Sequence, residues 1–141
     1  MVLTMSILQR WPTRQIDFVL AYAQADVEND RMYMQIPKGC EVNSKQAAEW
    51  VLKLKKNLYG QKQAGRVWNK YLVAKLKDIG FVQSEVDECV FFKSGYVYVL
   101  YTDDSILTGP TEEGISAIIE EMKSTGLRLT EEGNVSDFLG V

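Results

Sequence analysis

A chain of 141 residues with 46% apolar side chains can bury one core of ordinary domain size, which excludes a disordered tail. No run of about 18 apolar residues is present to span a bilayer, and Met1 to Arg10 lack the basic lead of a signal peptide, so an intracellular, cytoplasmic protein is expected. There is no histidine, and Cys40 and Cys89 lack metal-type spacing, which excludes the usual His/Cys zinc sites and histidine-based triads; chemistry must rest on carboxylates, lysines, tyrosines or thiols.

The net charge of −3 is unevenly placed. Between Lys45 and Lys77 nine basic residues stand against one acid, Glu49, so that segment is +8 and the remainder −11. A basic block in an acidic chain is a plausible footprint for a phosphate backbone. The plainer alternative is a solvated lysine face on a helix and a strand.

In chain order, Ile7, Leu8 and Trp11 lead to a break at Pro12, after which Gln15-Ile16-Asp17-Phe18-Val19-Leu20 predicts a strand. Asp17 sits among apolar neighbours, where a carboxylate needs a cation or hydrogen-bond donors. Ala23 to Asp30 predicts a turn or short helix, and Tyr33-Met34-Gln35-Ile36 a strand ended by Pro37-Lys38-Gly39. Ser44 is placed to cap a short helix through Trp50, and Val51-Leu52-Lys53-Leu54-Lys55 alternates as a strand with one wet face.

A loop follows, Asn57 to Gly65, in which Gly60 and Gly65 permit backbone conformations that other residues resist. Val67, Trp68, Tyr71, Leu72, Leu76 and Ile79 recur at helical spacing, with Gly80 placed to end the helix. That apolar stripe is expected to be core. Val90-Phe91-Phe92, the turn Lys93-Ser94-Gly95 and Tyr96 to Tyr101 predict a β-hairpin, and Ile106-Leu107-Thr108 resumes an apolar run, so Asp103 and Asp104 are candidates for the turn of a second hairpin. Pro110 and Thr111 precede a last helix, Glu112 to Thr125, stopped by Gly126. Strands and helices mix without βαβ alternation, which predicts an α+β fold: an antiparallel sheet with helices on one face.

Three carboxylates on strand-like segments, Asp17 and, 86 residues later, Asp103 with Asp104, are the donors a magnesium site would need if those segments are neighbours. An Asp-Asp pair taken alone equally well opens a turn. Strand alternation argues against equal roles for the two adjacent aspartates, and Asp103 is the expected essential ligand alongside Asp17 with Asp104 in support.

Three blocks, Gln15-Ile16-Asp17-Phe18-Val19-Leu20-Ala21-Tyr22, Leu58-Tyr59-Gly60-Gln61-Lys62-Gln63-Ala64-Gly65-Arg66-Val67-Trp68 and Val99-Leu100-Tyr101-Thr102-Asp103-Asp104, occur in that order and are followed by Phe138-Leu139-Gly140. Together they resemble the reverse transcriptase of copia-type LTR retrotransposons, over nearly the whole chain. The resemblance implies a palm-like sheet and an RNA-directed DNA polymerase that uses two Mg²⁺ ions, or Mn²⁺, held by Asp17, Asp103 and Asp104. It implies that Tyr22 closes the space beside the sugar 2′ position, that Tyr59 and Gly60 lie near the incoming nucleotide, and that Lys62 meets phosphate charge, with plain surface solvation as the alternative for that lysine.

The implied partners are an RNA/DNA template-primer, deoxynucleoside triphosphates and the remaining Pol segments, integrase and RNase H, in a virus-like particle. The family usually has Val, Leu and Pro where this chain has Thr102, Gln61 and Gly65. Residues 1–141 are expected to form one partial domain, with most of the fingers and the thumb absent. A competing expectation is a non-catalytic nucleic-acid-binding remnant that uses the basic 53–77 segment.

Overall fold

The computed structural model describes residues 2, 8–29, 31–40 and 50–134. Strand β1 (Thr13–Phe18) leads through a turn into the four-residue helix α1 (Ala21–Gln24), then β2 (Tyr33–Gln35) and β3 (Val51–Lys53). Helix α2 (Ala64–Asp78) is followed by β4 (Val82–Gln83), β5 (Val90–Lys93), β6 (Tyr96–Tyr101), β7 (Asp104–Thr108), helix α3 (Glu112–Ser124) and β8 (Leu129–Asn134). Six strands form one sheet in the order β4-β5-β6-β7-β1-β8, and β2 with β3 makes a separate two-stranded ribbon. Every pairing is antiparallel, so the fold is α+β as expected.

The hairpins follow from side-chain chemistry. Aromatic and β-branched residues fill β5 and β6, and Ser94 and Gly95 turn between them with both φ values positive, the backbone a two-residue hairpin needs. Successive strand residues alternate faces, so the register sorts them. Ile16, Phe18, Phe91, Tyr98, Leu100, Leu107 and Leu129 fall on one face of the sheet. Helices α2 and α3 cover that face with Trp68, Leu72 and Leu76 and with Ile115, Ile118, Ile119 and Met122, giving one continuous core. Asp17, Asp104 and Tyr101 occupy paired positions on the other face.

The helix ends are chemically marked. Thr111 caps α3 by accepting a hydrogen bond from the Gly114 amide, and Glu112 and Glu113 complement the dipole of its first turn. Arg14 bridges Glu112 and Glu131 at 2.8 and 3.0 Å, joining β1 to α3 and β8.

Several expectations are adjusted. Helix α2 starts at Ala64, so Gly65 lies in its first turn and not in the preceding loop. All three residues of β3 are exposed, so the ribbon has no dry face. β1 ends at Phe18, and Val19 and Leu20 form the turn into α1. β4 and β8 were not anticipated: β4 is two residues long, and Leu129-Thr130-Glu131-Glu132-Gly133-Asn134 carries no apolar alternation. The Ser44 helix cap and Phe138-Leu139-Gly140 lie outside the described residues. No described helix is long and apolar enough to cross a membrane.

The Tyr96 ring packs directly over Gly109 and reaches Gly114, and its hydroxyl shares a 2.9 Å hydrogen bond with Thr111 Oγ1. A Cβ on Gly109 would run into that ring. Gly109→Ala should therefore destabilise the chain by about 1–3 kcal/mol, the usual cost of overpacking, read as a lowered denaturant midpoint at unchanged slope.

Candidate functional site: an acidic end of the sheet

Strands β6 and β7 are joined by a two-residue turn, Thr102 and Asp103, between the paired residues Tyr101 and Asp104. The turn resets the alternation. Asp104 becomes the first residue of β7 and pairs with Asp17 on β1. Directly opposed residues in an antiparallel pair have Cβ atoms about 4.5–5.5 Å apart, so of the adjacent aspartates it is Asp104 that faces Asp17. Asp103, the expected essential ligand, sits in the turn beside them.

The electrostatics agree with this geometry. Partial burial, then the charges of Asp103 and Asp17, push the Asp104 carboxyl above its usual range. All three acids therefore share one field. As they stand, among the described residues, no three Asp, Glu or Cys side chains close around a common point as metal ligands. Three carboxylates repel one another, and a hard cation with oxygen preference is the partner their chemistry fits.

Tyr22 and Tyr59 stand at the same end. Their rings lie 4.3 Å apart at 30°. Burial raises the Tyr59 phenol above its ordinary pKa, with Asp103, Tyr22 and Asp17 adding to the effect, which places Tyr59 within reach of the acids and keeps its hydroxyl protonated. Gly60 has φ +90, a conformation that favours glycine, and it turns the chain just after Tyr59. The Gln61 side chain accepts a 3.1 Å hydrogen bond from the Leu58 amide and closes this loop on itself. Gly65 occupies a first-turn helix position where the amide has no helical partner, so a glycine and the family's proline are both compatible with it. Lys62 is exposed, and no hydrogen bond or ion pair joins it to the acids among the described residues.

Two contributors escaped the sequence reading. Gln24, buried on α1, donates to the Val19 and Arg128 carbonyls at 2.8 and 2.7 Å and accepts from the Arg128 amide at 2.9 Å. It pins the turn after Asp17, in which Leu20 adopts left-handed backbone at φ 50 and ψ 52, a conformation costing roughly 1–2 kcal/mol for a residue with a Cβ. Trp68, counted as core, also sends its indole N–H to the Thr102 carbonyl at 3.0 Å. A buried glutamine and an indole were the available signals, since both groups require partners.

The basic segment is largely engaged within the chain. Lys56 pairs with Asp26 at 2.8 Å, Arg66 and Lys70 both grip Glu28, and Lys75 lies over the Tyr71 ring. The Lys70 hydrogen bond, with the neighbouring Arg66 and Lys70 charges, holds Glu28 below its usual range against the opposing effect of desolvation. Both cysteines are exposed and free, and burial with the Asp87 charge raises the Cys89 thiol.

The family model described as reverse transcriptase (RNA-dependent DNA polymerase) matches residues 1–141. The chain belongs to that family. It is 38% identical over 112 residues to the Retrovirus-related Pol polyprotein from transposon RE1 of Arabidopsis thaliana, covering 77% of this chain and 7% of that protein. Against the Pol polyprotein from transposon TNT 1-94 of Nicotiana tabacum it is 31% identical over 132 residues, covering 90% of this chain and 10% of that protein. The Ty1-BL Gag-Pol polyprotein of Saccharomyces cerevisiae is 29% identical over 122 residues, 86% of this chain and 7% of that protein. These relatives place the chain with copia-type reverse transcriptases, and it spans about a tenth or less of their length. No solved structure matches it.

A raised carboxyl has a defined pH signature. Asp104 binds its proton more tightly folded than unfolded, so its ionisation lowers stability as pH rises above the ordinary aspartate value of 3.8. Asp104→Asn should therefore be more stable than the parent chain at pH 7, with the difference shrinking as pH falls toward 4. Denaturant midpoints across that range measure it.

Proposed function

We propose that this chain forms the palm portion of an RNA-directed DNA polymerase, with Asp17, Asp103 and Asp104 as its metal-binding acids. The observation that carries this reading is the register: Asp17 opposes Asp104 on the sheet face away from helices α2 and α3, with Asp103 in the adjoining turn. Acids at the end of this face suit a substrate carrying its own phosphates, provided cations stand between them.

All-oxygen donors fit Mg²⁺, or Mn²⁺ in its place, and two such ions when bound would activate the primer 3′ hydroxyl and stabilise the departing phosphate oxygen. The chain's own residues do the rest. Asp17 and Asp104 hold charge from two neighbouring strands, so the distance between them is set by the sheet. Asp103 adds a third carboxylate from a turn. Tyr22, backed by the Tyr59 ring, presents a flat wall beside the acids, which would leave room for a deoxyribose and crowd a 2′ hydroxyl. Gly60, with no side chain and positive φ, lets the backbone approach the base or sugar of the incoming nucleotide.

In this reading Lys62 is the exposed cation of the 57–63 loop available to a triphosphate. The substrates are deoxynucleoside triphosphates and an RNA/DNA template-primer. The partners are the other segments of a Pol polyprotein, integrase and RNase H among them, assembled in a cytoplasmic particle. The alternative, a non-catalytic nucleic-acid-binding remnant, rests on the basic 53–77 segment, in which Lys56, Arg66 and Lys70 have exposed partners within the chain, Lys75 lies over the Tyr71 ring and Lys62 is exposed.

Primer extension on an RNA template with Mg²⁺ and deoxynucleotides, run with this chain and with the longer Pol polypeptide carrying it, tests the reading. Incorporation should fall by about 100-fold or more in Asp17→Asn, Asp103→Asn and Asp104→Asn, the scale of losing one preorganised charge contact. Unchanged incorporation in these variants, or substrate hydrolysis that needs no deoxynucleotide, would contradict it.

A further inference from the structure

Thr102 is β-branched and holds φ +55 at the first central position of the β6–β7 turn, a place where glycine is the usual residue. Such backbone persists only where its surroundings hold it. The turn is closed on one side by the Tyr101–Asp104 pair. Among the described residues, the side chain that reaches its backbone is Trp68, whose Nε1 donates to the Thr102 carbonyl at 3.0 Å.

The same indole also touches the other acidic strand. Trp68 is 1% exposed, and its ring meets the edge of Phe18, the neighbour of Asp17, at 5.1 Å and 66°. Tyr71, one turn along α2, packs against it at 6.0 Å. One rigid bicyclic side chain thus bears on the strand carrying Asp17 and on the turn carrying Asp103 and Asp104. Helix α2 fixes where that side chain stands.

We propose that Trp68 is a positioning residue for the acidic turn: its indole N–H holds Thr102 in left-handed backbone and so sets where Asp103 and Asp104 stand relative to Asp17. A Trp that served as core alone could satisfy its N–H on any accessible carbonyl. Here the acceptor is the strained residue of the turn, between the paired residues Tyr101 and Asp104. The inference rests on the polymerase reading only for what the turn is used for.

The test compares Trp68→Phe, which keeps an aromatic ring and loses the donor, with Leu72→Ala, a core truncation on the same helix face. Amide hydrogen exchange of residues 101–105 and Mn²⁺ affinity are measured in the full 141-residue chain, with exchange compared at matched global stability. Trp68→Phe should speed exchange in the turn by about tenfold beyond Leu72→Ala, the scale of one hydrogen bond, and weaken Mn²⁺ binding several-fold. Adding Thr102→Gly to Trp68→Phe should restore both, because glycine adopts this backbone without being held.

Equal exchange at the turn in Trp68→Phe and Leu72→Ala would overturn the proposal, as would failure of Thr102→Gly to rescue. If Trp68→Phe does not fold, benzothienylalanine at position 68, which keeps the bicyclic shape and lacks the N–H, gives the same comparison. A parent chain that binds no Mn²⁺ at the acidic end would remove the polymerase reading, while the exchange comparison would still decide the role of Trp68.

Discussion

Two like charges face each other across neighbouring strands. Opposed carboxylates destabilise a sheet, and Asp17 and Asp104 are held in that relation by the β1–β7 register. The rest of the structure can be understood as what makes the arrangement tolerable. The opposite face of the same strands is the core face, where Ile16, Phe18, Leu100 and Leu107 pack beneath α2 and α3. Burial there stabilises the strands whose ends carry the repulsion; the Asp104 carboxyl is raised first by its own partial burial and then by the charges of Asp103 and Asp17.

Left-handed backbone at residues other than glycine occurs at this end, as it also does at Arg10 and Ser94. Leu20 follows the strand of Asp17, Thr102 precedes the strand of Asp104, and both adopt left-handed backbone. Each has a buried partner nearby: Gln24 ties the first turn to Arg128, and Trp68 ties the second to α2. Non-glycine residues kept in this region by over-determining contacts are common where a chain must present functional groups in a set geometry. The polar Gln24 and the indole of Trp68 thus each bond to backbone at or beside one of these turns.

Local chemistry was legible in the sequence wherever a short-range rule governs it. The spacing of Val67, Trp68, Leu72 and Leu76, Pro110 and Thr111 ahead of the last helix and the turn at Lys93-Ser94-Gly95 all mark elements that form. β8 was hidden because Thr130, Glu131 and Glu132 show no apolar alternation; the strand exists through its pairing with β1. The meeting of Asp17 with Asp104 could not be read from periodicity, since it joins residues far apart in the chain and depends on a turn that shifts which aspartate faces inward along the pair. Resemblance to the copia-type family supplied the grouping, and the chain belongs to that family. Counting charges in the basic segment likewise does not reveal that Glu28 and Asp26 lie across from it.

The central claim is that Asp17, Asp103 and Asp104 form one cation-binding centre at the end of the sheet. Paramagnetic broadening of backbone amide signals during Mn²⁺ titration tests it most directly, because it locates the ion without requiring polymerase activity. Signals from residues 16–18 and 102–105 should broaden first and together, with Tyr22 and Tyr59 next. Broadening that begins instead at the glutamates of α3, with residues 16–18 and 102–105 unaffected, would contradict the account.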